Sequence, residues 1–184
     1  PSLSQASQQL ATTSFIKEYE TYDVSSFPYP LEKDLFYQSE YDQKLAKFIR
    51  EIVRAEGPIS ENLLKRRVRE AHGFAQGGNR MSERIYNLAR RSKLHISKEG
   101  DLRFYWPTRR SAENRETCRL AKIREPERDV DDIAKEELFI LIRHTQIKGD
   151  TLQVVAQRLG IARITQRVRT RLEPIIRECL SAAI

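Results

Sequence analysis

Residues 59–93, ISENLLKRRVREAHGFAQGGNRMSERIYNLARRSK, decide how the rest of this chain is read. Ser60 is placed to cap a helix whose first turn carries Glu61, and Ile59 and Leu64 stand where apolar residues staple a helix entry. The helix predicted from these signals covers 61–72, with Leu64 and Val68 inward and the charged heads of Lys65, Arg66 and Arg69 outward. Gly73-Phe74 has the pattern of a glycine C-cap followed by an apolar contact, and Gly77-Gly78 loosens the turn after it. Another helix starts near Asn79. Its Met81, Ile85 and Leu88 face a core, while Arg80, Arg84, Asn87 and Arg91 recur at i, i+4, i+7 and i+11 and form a separate stripe about 100° round the helix. Nine Lys and Arg stand against three Asp and Glu in this stretch, so the natural partner is anionic.

Working outward, Tyr41, Leu45, Phe48, Ile49 and Ile52 recur at helical spacing and predict a preceding helix over 41–55, ended by Gly57-Pro58. Downstream, a strand is expected at 94–97, a turn at Lys98-Glu99-Gly100-Asp101, and a second strand at 102–106. In that second strand Leu102, Phe104 and Trp106 alternate with Arg103 and Tyr105. Three helices followed by a hairpin describe a winged helix-turn-helix over 41–107. In such a unit the third helix fits the major groove, where arginine pairs with guanine and asparagine with adenine. Lys98 and Arg103 on the hairpin are then candidates for backbone or minor-groove contacts.

The flanks differ in character. Residues 1–14 are rich in Ser, Gln, Thr and Ala and read as a linker. Residues 15–40 read as an aromatic, acidic arm. Through Tyr41 it holds eight of the fifteen aromatics, with six acids and two lysines, and Phe27-Pro28-Tyr29-Pro30 forces extended backbone. Such an arm could mimic nucleic acid or stack on bases, but because aromatics bury large areas it is expected to pack on the body. A polar linker is expected over 108–130, and a second helical unit over 131–184. Within the latter, the apolar run 138–142 is ambiguous between strand and buried helix until its acidic lead-in favours helix.

That second unit repeats the first at a spacing of 87 residues. Val68 pairs with Val155, Gly73 with Gly160, Arg80 with Arg167, Met81 with Val168, Arg84 with Arg171, Ile85 with Leu172 and Leu88 with Ile175. Arg163, Arg167 and Arg171 are its candidate DNA contacts. Asn87 and Arg91 are replaced by Pro174 and Glu178, so the second stripe is shorter, and Pro174 is expected to kink or interrupt its helix.

Bulk properties bound the function. At 184 residues, 39% hydrophobic and 32% charged, with a formal charge of +7, the chain suits small helical units that meet a polyanion. No apolar run is long enough to cross a bilayer and no signal-peptide pattern opens the chain, so a soluble, cytoplasmic protein with no membrane partner is expected. The opening Pro1 and the single methionine, Met81, suggest a piece of something larger. His72, His95 and His144 are scattered and read as surface or capping residues, and Cys118 and Cys179 lie far apart. No nucleotide-cradling or metal-ligand spacing occurs. Glu136-Glu137 reads as decoration of a helix start. The fragment is therefore expected to be no enzyme by itself and to need no cofactor.

The run Glu56-Gly57-Pro58-Ile59, then Leu63-Leu64-Lys65-Arg66-Arg67-Val68, Gly73-Phe74, residues 80–85 and a closing Phe104-Tyr105-Trp106-Pro107 resembles a domain of unknown function. That domain lies at the C-terminal end of large bacterial proteins combining a superfamily I helicase with a Vsr-like endonuclease module. The resemblance covers roughly residues 41–180 and implies the tail of a helicase–nuclease acting in DNA processing or defence. It carries no catalytic residues onto this part. The expected fold is mainly α with a small β-hairpin, arranged as tandem winged-helix or helix-turn-helix-like units. The expected role is an accessory DNA-binding module of a larger DNA-processing protein. The alternative is a protein–protein docking module, anchored on its parent or a partner through the arm at 15–41.

Overall fold

The computed structural model describes residues 15–120, 128–145 and 149–182. The expected linker at 1–14 and part of the one at 108–130 lie outside them. The chain forms two compact units, one of Glu20–Asn114 and one joining residues up to Tyr19 with those from Arg115 onward. Helices predominate, and the sheets are small. Among the described residues no helix is long and apolar enough to cross a membrane.

In the Glu20–Asn114 unit, α1 (Asp42–Glu56) buries Leu45, Phe48, Ile49, Ile52 and Val53 on one face. After the cis Gly57-Pro58 bond comes a short strand, β2 (Ile59–Ser60), and then α2 (Glu61–Ala71). The Ser60 hydroxyl accepts from the Leu63 N–H at 3.0 Å, satisfying one of the donors that a helix start leaves open. At the other end Gly73 takes a left-handed φ of 68°, so that the Gly73 N–H reaches the Glu70 carbonyl and the Phe74 N–H the Arg69 carbonyl, both at 3.0 Å. Next come α3 (Asn79–Arg91), β3 (His95–Glu99), β4 (Leu102–Trp106) and α4 (Arg109–Glu113).

The sheet has the order β2-β4-β3, both pairings antiparallel, with Ser60 opposite Phe104 and Ser97 opposite Phe104 from the other side. β4 is thus the central strand. Tyr105, which alternates with Phe104 and Trp106, is as buried as they are, because the second face of a central strand is also covered. Residues 20–41 belong to this unit and lend it three core aromatics, Phe27, Phe36 and Tyr41. Phe27 and Phe36 are buried, Phe27 meets Phe48 edge-on with centroids 4.9 Å apart, and the buried Glu56 carboxylate accepts from the Tyr22 N–H at 3.0 Å and from Arg67.

The other unit begins with β1 (Ile16–Glu18), which pairs in parallel with β5 (Cys118–Leu120). The aromatic stretch therefore divides at Tyr19 between the two units. Three helices follow: α5 (Lys135–His144), α6 (Thr151–Arg158) and α7 (Gln166–Ser181). Their core is aliphatic, with Leu138, Leu141, Val155, Val168 and Leu172 at its centre. The 87-residue spacing is visible in the backbone. Gly160 has φ 72°, its N–H meets the Gln157 carbonyl, and the Ile161 N–H meets that of Ala156, the same cap as at Gly73. The expected interruption at Pro174 does not occur, and α7 runs through it. Pro174 sits on the exposed side, where water can serve the carbonyl one turn earlier that has no helical donor.

Candidate nucleic-acid interface

The outer face of α3 follows from its sequence: Met81, Ile85, Leu88 and Ala89 are buried, so the residues between them must face away. A shallow groove there is lined by Arg80, Arg84, Asn87 and Arg91 of the predicted stripe together with Tyr37, Asp42 and Glu83. The four stripe residues are thus brought together, but three of them are held. The Arg80 guanidinium lies 4.2 Å from the centroid of the Tyr37 ring. Asp42, the first residue of α1, receives Arg84 at 2.6 Å and Arg91 at 3.0 Å, and Arg84 also donates to the Gln38 carbonyl at 2.7 Å. Arg91 nonetheless keeps 70% of its side chain exposed, whereas Arg84 keeps 17%. Asn87 is exposed.

The remaining candidates of this unit lie elsewhere. Lys65 and Arg66 are half-buried on α2, and Arg69 pairs with Glu70 at 2.8 Å. Lys98 is exposed on β3. Arg103 is clamped, 2.6 Å from Glu61 and 4.5 Å from the centroid of the Tyr86 ring. Its position on a central strand brings it over α2's first turn, where Glu61 also serves the positive end of the helix.

In the other unit Arg163 is exposed before α7. Arg167 is bound between Asp129 at 2.8 Å and Asp131 at 2.7 Å, and Arg171 donates to the Ile133 carbonyl at 2.8 Å. The two arginines that repeat the α3 stripe are thus engaged with the acidic turn before α5.

Several important side chains carry no mark in the sequence. Asp42 and Tyr37 are the partners of the stripe. His72, expected at the surface or as a cap, does cap α2 but is buried, with Nε2 3.0 Å from the Tyr41 hydroxyl and Nδ1 2.8 Å from the Val68 carbonyl. Glu137, expected to decorate a helix start, is fully buried and gathers Arg115 at 3.2 Å, Arg119 at 2.9 Å and Arg128. Burial would raise its pKa, but Arg128 and Arg119 reverse this and hold it at about 2. Cys118 lies beside this cluster, and burial pushes its thiol up to about 12, which makes it a packing residue and not a nucleophile. Among the described residues no group of three His, Cys, Asp or Glu side chains is placed to hold a metal ion.

No curated protein and no solved structure is detectably similar to the chain. The family described as "Protein of unknown function (DUF3320)" matches residues 34–83, which run from the end of the aromatic segment through α1 and α2 into the first turns of α3.

Proposed function

We propose that the chain is an accessory DNA-binding module, non-catalytic by itself, built from winged-helix or helix-turn-helix-like units and working within a larger DNA-processing protein. The observation that carries this is the gathering of Arg80, Arg84, Asn87 and Arg91 on the outer face of α3, in a unit whose β3–β4 hairpin carries an exposed Lys98. Arginine and asparagine side by side on a helix of 13 residues suit base edges in the major groove, with Lys98 free to meet a phosphate. The resemblance to the C-terminal region of helicase–nuclease proteins supports placing the module in such a parent.

Titration of duplex DNA at several salt concentrations tests this. Replacing Arg80, Asn87 and Arg91 together by Ala is expected to weaken duplex binding by at least about tenfold. The log–log salt slope should shrink by about 0.9 for each phosphate that the variant no longer neutralises. Arg84 is left in place because its bonds to Asp42 and Gln38 hold the fold. A triple variant with unchanged affinity and slope overturns the assignment.

The Asp42 clamp favours a second reading, a protein-docking face, since a carboxylate already occupies two of the stripe cations. Asp42→Asn separates the two. Under DNA binding it releases the exposed Arg91 to phosphate, Arg84 staying on the Gln38 carbonyl, and should tighten the complex several-fold, whereas a face built for a protein partner gains nothing for DNA; a thermal melt verifies that the variant folds.

A further inference from the structure

A second basic surface lies in the Glu20–Asn114 unit, and it owes little to the α3 stripe. Between α1 and the end of α3 runs a groove of about 780 Å³ whose walls include Tyr29, Lys44, Lys47, Arg50, Leu88 and Arg91. It also contains Glu40 and Asp42. Lys44 is neutralised by Glu32 at 2.6 Å, and Arg91 shares Asp42 with Arg84. Lys47 and Arg50 are different. Among the described residues the Lys47 ammonium meets only Tyr29, 3.3 Å from its hydroxyl and 4.6 Å from its ring centroid. Among the described residues the Arg50 guanidinium has no hydrogen-bond or ion-pair partner. One helical turn apart on α1, these two cations lie side by side without a carboxylate.

Tyr29 is 45% exposed. It is also held firmly. Pro28 and Pro30 flank it and restrict the backbone on either side, and the buried Phe27 meets it edge-on with centroids 5.6 Å apart. With Lys47 against its ring, the half-exposed residue lines the groove together with Ala46 and Leu88.

A half-exposed aromatic ring beside cations that have no carboxylate is what an unpaired base and its phosphates require, because stacking and charge neutralisation then act together. Duplex DNA hides its base faces and has no use for the ring. An acidic peptide would use the cations and leave the ring idle. We propose that this groove binds single-stranded nucleic acid, with a base stacked on Tyr29 and neighbouring phosphates at Lys47 and Arg50.

The test is fluorescence anisotropy of a labelled oligo-dT with the full chain, alongside a duplex and polyglutamate, at several salt concentrations. Tyr29→Ala is expected to weaken oligo-dT binding by between about fivefold and a hundredfold, while Tyr29→Phe keeps it. Lys47→Gln with Arg50→Gln should lower the single-strand salt slope by about 1.4. All three positions are at or near the surface, and Trp106 fluorescence melts verify that the variants fold. Duplex binding should survive these changes, and the Arg80/Asn87 pair can be altered without affecting oligo-dT, so the two assignments fail separately. Absence of oligo-dT binding, or binding indifferent to Tyr29→Ala and the Lys47/Arg50 double change, overturns the proposal. Polyglutamate binding that needs Arg50, with oligo-dT unbound, overturns it in favour of an acidic peptide.

Discussion

His72 shows how much one buried polar residue settles. A carbonyl can only accept, so the 2.8 Å contact to Val68 puts the proton on Nδ1 and leaves Nε2 to accept from the Tyr41 hydroxyl. That hydroxyl in turn accepts from the Glu32 N–H at 3.1 Å. The imidazole, packed edge-on against Phe36 and Phe48, is therefore held neutral. Burial lowers its pKa below the usual 6.5, and the Val68 bond only partly opposes this. Because the folded value is depressed, the unfolded chain takes up the proton first as pH falls. The stabilisation is complete above about pH 6.5 and is lost below it, toward the lower folded pKa. Urea unfolding followed by Trp106, the chain's single tryptophan and buried in this unit, should show the midpoint dropping as pH falls below about 6.5. A His72→Asn variant should lack that drop, and a wild-type midpoint flat across the window would contradict the neutral assignment. None of this is legible in sequence, because Tyr41 lies 31 residues away and no local pattern marks a buried histidine.

Elements are far more legible than residues. Apolar spacing and capping chemistry place α1, α2 and α3 to within a residue or so, since 3.6-residue periodicity, the Ser60 cap and the Gly73 cap act over a single turn. The β3–β4 pairing follows from the Gly100-Asp101 turn, with Gly100 at φ 60°. The parallel β1–β5 pair escapes such reading, because its three-residue strands meet across about a hundred residues of chain and carry no turn signal. Pro174 disrupts less than its residue type suggests. A helix packed along Val168, Leu172, Ile175 and Cys179 tolerates one missing hydrogen bond where the freed carbonyl meets water. Pro174→Ala should restore that bond and stabilise the unit by about 1–3 kcal/mol, read as a higher midpoint in thermal melts by circular dichroism. No change in the melt would mean that α7 already accommodates the ring at no cost.

At the scale of the whole molecule, the two units close their cores by different means. The Glu20–Asn114 unit uses aromatics, with Phe36, Phe48, Phe104, Tyr105 and Trp106 fully buried. The other is aliphatic and joins its β5 side to α5 through the Glu137 carboxylate and three arginines. Glu137→Gln removes the charge that those guanidinium groups share and should destabilise that unit by about 3–5 kcal/mol, visible as helix melting at a lower urea concentration. With its pKa held at about 2, the wild-type carboxylate contributes fully above about pH 4.5 and loses that contribution as pH falls toward 2. A Glu137→Gln variant as stable as wild type would show that the cluster is ornamental. The aromatic arm likewise resolves at this scale: Phe27 and Phe36 are core residues, so cutting away residues 1–40 would unfold the unit and could not expose a docking anchor.

By itself the sequence determined the first three helices, the Ser60 and Gly73 caps, the hairpin, the repeated glycine cap and the basic stripe of α3, because periodicity and capping are interactions between near neighbours. The tertiary structure alone decided which cations are neutralised and which stand open. Asp42, Glu61 and Asp131 reach Arg84, Arg103 and Arg167 across 36 to 42 residues of chain, while Lys47 and Arg50 are left without a carboxylate beside Tyr29. Charge pairing falls off over a few ångströms, so it depends on where the fold delivers each side chain and not on its place in the sequence.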